Sequence, residues 1–250
     1  AGYDFLFSTD HWFQPQQPAP TGEAPLWFNG LEIHGNDETG MLFHIVILGE
    51  VPELTMEMTL DEAVRAARRK GAFVILAHPF WSGNDDVAVL RWPFDGVEVY
   101  NHVARWLNGK SDGLAHWHRM LAEGGAVLAF ASDDAHITPE HPGWNGGWIV
   151  VNAPERSRPA IMTAIRSGNF YASCGPQIST IAAAGRRVTV TSSPVCTARL
   201  CGPGWLGRQA GTPTPHAALT EATFDVPGDW PYAYIELEDE RGGRAWTNTL

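Results

Sequence analysis

The sequence predicts an α/β fold: a barrel of parallel strands sheathed by helices, followed by a small antiparallel β-domain. Three observations predict it. Near-continuous apolar runs alternate with helical periodicity through the first 177 residues, the pattern of a parallel sheet covered by helices. Polar residues gather where those runs stop, and that is where an α/β barrel collects its active site. Beyond about residue 177 the segments become short and alternating, cut by Gly, Pro and Asp turns, with no helical period. The implied division is 1–177 for the barrel and 178–250 for a β-sandwich-like domain.

The elements follow in order. Phe5-Leu6-Phe7 leads into Ser8-Thr9-Asp10-His11. Leu31-Glu32-Ile33 follows Gly30, and His44 heads the run Ile45-Val46-Ile47-Leu48. Thr59 with Glu62 three residues on reads as a capping box, and Leu60, Ala63, Val64 and Ala67 then recur at helical spacing up to Gly71. Residues 72–77 (Ala-Phe-Val-Ile-Leu-Ala) are too β-branched and unbroken for an exposed helix, so they read as a buried strand that stops at His78-Pro79. Residues 96–101 (Gly-Val-Glu-Val-Tyr-Asn) form another strand. Ser111 can cap a helix carrying Leu114, Trp117 and Leu121, closed by Gly124-Gly125. The strand 126–130 then runs into Ser132-Asp133-Asp134-Ala135-His136, followed by a strand at 148–151 and a helix around 159–167. In the second part, strands are expected at 188–191, 197–200 and 232–237.

Composition narrows the function. The chain has 250 residues, 44% hydrophobic and 18% charged, enough to bury a sizeable core. Its formal charge of -11 has the wrong sign for neutralising a phosphate backbone, so nucleic acid is not an expected partner. No apolar stretch approaches the ~20 residues that cross a bilayer, and the first residues lack a signal-peptide pattern. A soluble, cytoplasmic protein is the expectation, with a signal peptide upstream of the given residues as the alternative. Cys174, Cys196 and Cys201 have no CxxC spacing and read as reduced thiols. There is no GxSxG elbow, P-loop or GxGxxG turn to anchor a serine hydrolase or a nucleotide site.

The histidines carry the chemistry. Histidine and carboxylate ligands without cysteine suit Zn, Mn or Fe. Asp134 and His136 are two residues apart, so in an extended segment both leave one face and can reach one metal or an adjacent pair. Glu32 could bridge two cations through its two oxygens, with His11, His44 and His78 completing their shells. A single buried histidine is more often an ordinary hydrogen-bonding residue; for His11, His78, Asp134 and His136, that coincidence would have to repeat four times at strand ends. His116 and His118 sit ~200° apart around a helix and cannot share an ion. His141 and His216 read as solvated loop residues. Of Asn101 and His102, strand alternation lets only one face the pocket, and Asn101 is preferred. Arg91 and Arg105 could grip an anionic group.

At Ser8-Thr9-Asp10-His11, Gly30-Leu31-Glu32, Ala77-His78-Pro79, residues 96–101 and residues 132–136, in that order, the chain resembles the polymerase and histidinol phosphatase (PHP) superfamily. Residues 165–176 and Ala245-Trp246-Thr247-Asn248 resemble its carbaryl-hydrolase branch, which carries a small C-terminal β-domain. The resemblance spans essentially the whole chain. It implies a distorted (β/α)7 barrel with two or three divalent metal ions at its mouth. By motif it makes His11, His44, His78, Asp134 and His136 metal ligands and Glu32 the bridging carboxylate. The family opens on a further βα unit ending in HxH, and this chain starts beyond it. The expectation is an N-terminally truncated protein, or else a relative that lost the site. The barrel part leaves room for roughly six βα units at ~31 residues each, one short of seven.

The expected function is metal-dependent hydrolysis by a metal-bridging hydroxide, with a phosphoester first in order and a carbamate, ester or amide next. Glu32, His78 and Asp134 are the candidate catalytic residues, Asn101 and Arg105 the candidate substrate-binding ones. The partner is then a small, anionic molecule. The rival expectation is a non-catalytic, degenerate barrel supporting a β binding domain.

Overall fold

The structure, a computed structural model, describes residues 2–15, 22, 24–136, 138, 143–211 and 218–250. His141 and His216 lie outside the described residues. Strand accounts for 39% and helix for 18%.

The strands are β1 (Phe5–Ser8), β2 (Leu26–Asn36), β3 (Leu42–Leu48), β4 (Phe73–Leu76), β5 (Gly96–Asn101), β6 (Leu128–Ser132), β7 (Trp148–Val151), β8 (Phe170–Ser173), β9 (Ile178–Ala184), β10 (Arg187–Val195), β11 (Thr197–Cys201), β12 (Gly207–Gly211), β13 (Leu219–Asp225), β14 (Tyr234–Glu238) and β15 (Arg244–Thr247). The helices are α1 (Leu60–Arg69), α2 (Pro79–Ser82), α3 (His102–Asn108), α4 (Leu114–Ala122) and α5 (Arg158–Arg166). Among the described residues, no helix is long and apolar enough to cross a membrane.

The predicted (β/α)7 barrel with its helical sheath is not what forms. β1 to β6 make one sheet in chain order, curled into a half-barrel. β1 pairs parallel with β2, and β4, β5 and β6 pair parallel in turn, but β3 runs antiparallel to both its neighbours. The reason lies in residues 37–41. Five residues cannot carry the dozen or more that a parallel crossover needs. They close instead as a tight turn: Asp37 Oδ1 accepts from the backbone N–H of Thr39 at 2.8 Å and of Met41 at 3.0 Å, while Gly40 takes φ 86°.

β7 and β8 do not continue the half-barrel either. They join β15, β14, β11 and β12 in a second sheet whose pairs are all antiparallel. The sheet therefore spans the sequence division at residue 177. β13, β10 and β9 form a third sheet over it, and Val188, Val190, Phe224, Leu200, Ile235 and Leu237 fill the space between the two.

α1 forms as the sequence predicts. Thr59 and Glu62 make both bonds of the capping box, Asp61 and Glu62 sit in the first turn and Arg68 and Arg69 in the last, complementing the helix dipole. Such a cap stabilises by about 1 kcal/mol. α4 starts later than Ser111 because residues 111–113 lie along β5: the Asn101 N–H donates to Ser111 O at 3.1 Å and the Gly113 N–H to Val99 O at 3.0 Å.

Strand alternation sorts the half-barrel into two faces. Leu31, Ile33, Phe43, Ile45, Val74, Val97 and Ala129 pack with α1, with Trp117 of α4 and with Tyr234 and Trp246 of the second sheet. The other face carries Leu26, Phe28, Leu48, Phe73, Ile75 and Phe130, covered by Ile161 and Ile165 of α5 and Phe170 of β8. Glu32, His34, His44 and Glu98 alternate onto this second face. One face thus holds an apolar floor and a polar mouth.

Candidate metal centre

Each strand from β1 to β6 brings a polar group to that mouth. β1, β2, β4, β5 and β6 point one way, so their C-terminal portions meet there, and the reversed β3 reaches the same end with its N-terminal half. That is why His44 sits early in its strand. His11 follows β1 and forms a β-bridge beside Glu32. The Ala77 N–H donates to His44 O at 3.0 Å, which lays the segment ending in His78 alongside β3.

The side chains converge. Glu32 Oε1 is 2.5 Å from His44 Nδ1 and 3.6 Å from His78 Nε2. His78 Nε2 is 3.9 Å from Asp134 Oδ2, and Asp134 Oδ1 is 3.9 Å from His136 Nδ1. The His11 ring lies 5.6 Å from that of His44 and 6.1 Å from that of His136, centroid to centroid. All six residues expected as ligands therefore form one chain of neighbours. Ligand atoms of His11, Glu32 and His44 lie within 4.8 Å of one another, close enough for one cation. Imidazole nitrogens with a buried carboxylate suit a borderline divalent ion such as Zn or Fe, or Mn, so the donor set fits the expected metal.

Two participants escaped sequence reading. Glu98 hides in the apolar run of β5, yet it is buried and fully bonded: Oε2 accepts from the His78 N–H at 2.8 Å and Asn101 Nδ2 at 2.9 Å, and Oε1 from Ser132 Oγ at 2.5 Å. A lone carboxylate among β-branched residues was the available signal. His34, two residues after Glu32, places Nδ1 3.1 Å from His11 Nδ1.

The expected substrate contacts are engaged within the chain. Asn101 is fully buried; its Oδ1 caps α3 by accepting from the Ala104 N–H at 2.8 Å, and its Nδ2 also points at Asp134 Oδ2, 3.3 Å away. It positions two carboxylates. Arg105 turns to Tyr100, on the side of Cys174 and Arg244. Arg91 pairs with Asp37 and Glu38 of the β2–β3 turn. His102 meets the Tyr100 hydroxyl at 3.3 Å. His116 and His118 take separate partners, Asn84 O and the Tyr234 hydroxyl, and share no site.

Backbone strain marks the same place. Trp12, His78 and Asp134, all bordering the centre, have φ of 54°, 25° and 54°. Such conformations cost about 1–3 kcal/mol each and persist where surrounding bonds fix them. For His78 those bonds are the one from its N–H to Glu98 and the helix turn opened by Pro79.

The charges are interdependent. Burial raises the Glu32 carboxyl, but the hydrogen bond from His44 and the positive charge of His44 and His78 close by outweigh it and hold Glu32 well below the usual carboxylate range. Burial disfavours a charged His78, yet the Glu32 carboxylate 3.6 Å away and the fields of Glu98 and Asp134 lift it to about 9. Burial, then the negative charges of Glu32 and Glu98, push Asp134 up to about 7. Burial, with His11 and His44 beside it, lowers His34.

Gly113 ties this centre to the fold. A Cβ there would stand 2.1 Å from the Glu98 carbonyl oxygen. Gly113→Ala is expected to push β5 away from α4 and destabilise the protein by about 1–3 kcal/mol. Urea unfolding measures this, and an unchanged midpoint would show that the contact relaxes freely.

No protein-family model matches this chain, and no curated protein matches it.

Proposed function

We infer that this chain is a metal-dependent hydrolase, with a phosphoester as the first substrate class. The observation that carries the inference is the convergence of His11, Glu32, His44, His78, Asp134 and His136 at one end of the half-barrel, with Glu32 Oε1 within 3.6 Å of two imidazoles. His11, Glu32 and His44 would hold one cation; His78, Asp134 and His136 stand beside them as ligands for another.

A bound divalent cation supplies a water of lowered pKa and a Lewis acid for the substrate oxygen. The chain's own residues do the rest. Glu98 and Asn101 fix the backbone of His78 and the carboxylate of Asp134, so both keep their orientation. Trp81 packs edge-on against the rings of His44 and His78 at 5.5 and 5.0 Å, and shields that side of the centre from water. With cations held by these residues, the centre would offer local positive charge in a chain of formal charge -11, which would favour an anionic substrate and the charge that builds on a phosphoryl group.

The test is to strip the chain with EDTA, reload it with Zn, Mn or Fe(II), and measure metal content and turnover of an aryl phosphomonoester, a phosphodiester and an aryl carboxylic ester. The expected result is at least about one ion per chain and metal-dependent phosphoester turnover. Metal binding with ester turnover alone would replace the phosphoester by a carbonyl substrate. Less than about one ion per chain would overturn the reading.

A further inference from the structure

His34 reaches the centre by strand geometry alone. It follows Glu32 by two residues in β2, so both side chains leave the same face. In the antiparallel ladder it stands directly opposite His44, and the two rings are stacked, 5.2 Å between centroids and 24° between planes. Its Nδ1 lies 3.1 Å from Nδ1 of His11. The indole N–H of Trp12 donates to the His34 carbonyl at 3.1 Å, tying the strand to the segment that carries His11.

That nitrogen separation is informative. With metal–nitrogen bonds of about 2.0–2.1 Å, two neighbouring ligands stand about 2.8–3.0 Å apart in an octahedral shell and about 3.3–3.4 Å apart in a tetrahedral one, and the observed separation lies between the two. Two imidazoles at 3.1 Å otherwise need one proton between them, one ring donating and the other accepting. A cation between the two lone pairs satisfies both rings at once.

We propose that His34 is a further ligand of this centre, binding through Nδ1 the divalent cation that His11 binds through its own Nδ1. The proposal rests on the metal-centre reading above and sharpens it: a nitrogen-rich shell selects zinc or iron over magnesium.

The experiment titrates zinc chloride into the EDTA-stripped wild-type chain, His34→Ala and His34→Gln, and records the visible absorption of their cobalt(II) forms. Circular dichroism checks that each is folded, and glutamine keeps a polar side chain of similar volume in the strand. Zinc affinity is expected to fall at least about tenfold in both variants, with an altered cobalt spectrum. Folded variants that bind zinc within about twofold of wild type, with the wild-type cobalt spectrum, would overturn the role of His34 and leave the hydrolase reading standing. A wild-type chain that binds no zinc would overturn both.

Discussion

Asp134→Asn is expected to lower metal-dependent turnover at least about 10³-fold, the equivalent of about 4 kcal/mol of transition-state stabilisation, while making the metal-free protein more stable at pH 8. The two effects have opposite signs for one reason. Asp134 lies 3.9 Å from His78 and shares its surroundings with the carboxylates of Glu32 and Glu98, which with burial push its carboxyl up to about 7. Above pH 7 the folded chain holds a charge that its surroundings resist, whereas the unfolded chain carries it at no cost, so ionisation destabilises the fold. Asparagine keeps the shape, can still accept from Asn101 Nδ2, and removes the charge. It also removes an anionic ligand, and with it the attraction that draws a cation in. Turnover and the thermal midpoint in EDTA at pH 8 decide the matter; a variant of wild-type activity, or one that melts lower, would refute this account of the site.

The same carboxylate marks how far sequence reading reaches. Asp134 and His136 stand out because two residues in extended chain share a face, although Asp134 takes φ 54° and the segment after β6 is not a strand; His11 and His78 stand out because each ends an apolar run. The helix after Thr59 was legible because its signals are local. Strand direction was not. The reversal of β3 depends on the short turn at residues 37–41, and β7 and β8, paired with each other, leave the half-barrel because the other neighbour of β8 is β15, where Ser173 pairs with Ala245 far downstream in the chain. Continuous apolar strands look alike whether a parallel or an antiparallel neighbour covers them. Glu98 was hidden for a related reason: a carboxylate that positions His78 from below belongs to the strand, not to the polar loop that follows. The start of α4 misled because Ser111 looks like a cap, whereas the close approach of Gly113 to β5 is a tertiary fact.

Metal affinity is expected to rise steeply with pH, and the site's own protons set the slope. With no cation bound, His78 is raised from 6.5 to about 9 and Asp134 from 3.8 to about 7, so the folded chain binds more protons than the unfolded one from about pH 4 to pH 9. By linkage, stability without metal falls across that window: the share from Asp134 is present below 3.8 and lost through about 7, and that from His78 is present below 6.5 and lost through about 9. Glu32 behaves oppositely, its contribution being present above 4.5 and lost only as pH falls through its depressed value, so it releases no proton near neutrality. A cation that takes both His78 and Asp134 as ligands must displace both protons. Its affinity should then rise about 50-fold from pH 6 to 7 and about 15-fold from pH 7 to 8, and level off above about 9. Calorimetric zinc titrations in buffers of different ionisation enthalpy count the released protons directly. Two or more at pH 6 and about one at pH 8 are expected; a count near zero at pH 8 would mean that His78 keeps its proton and is not a ligand.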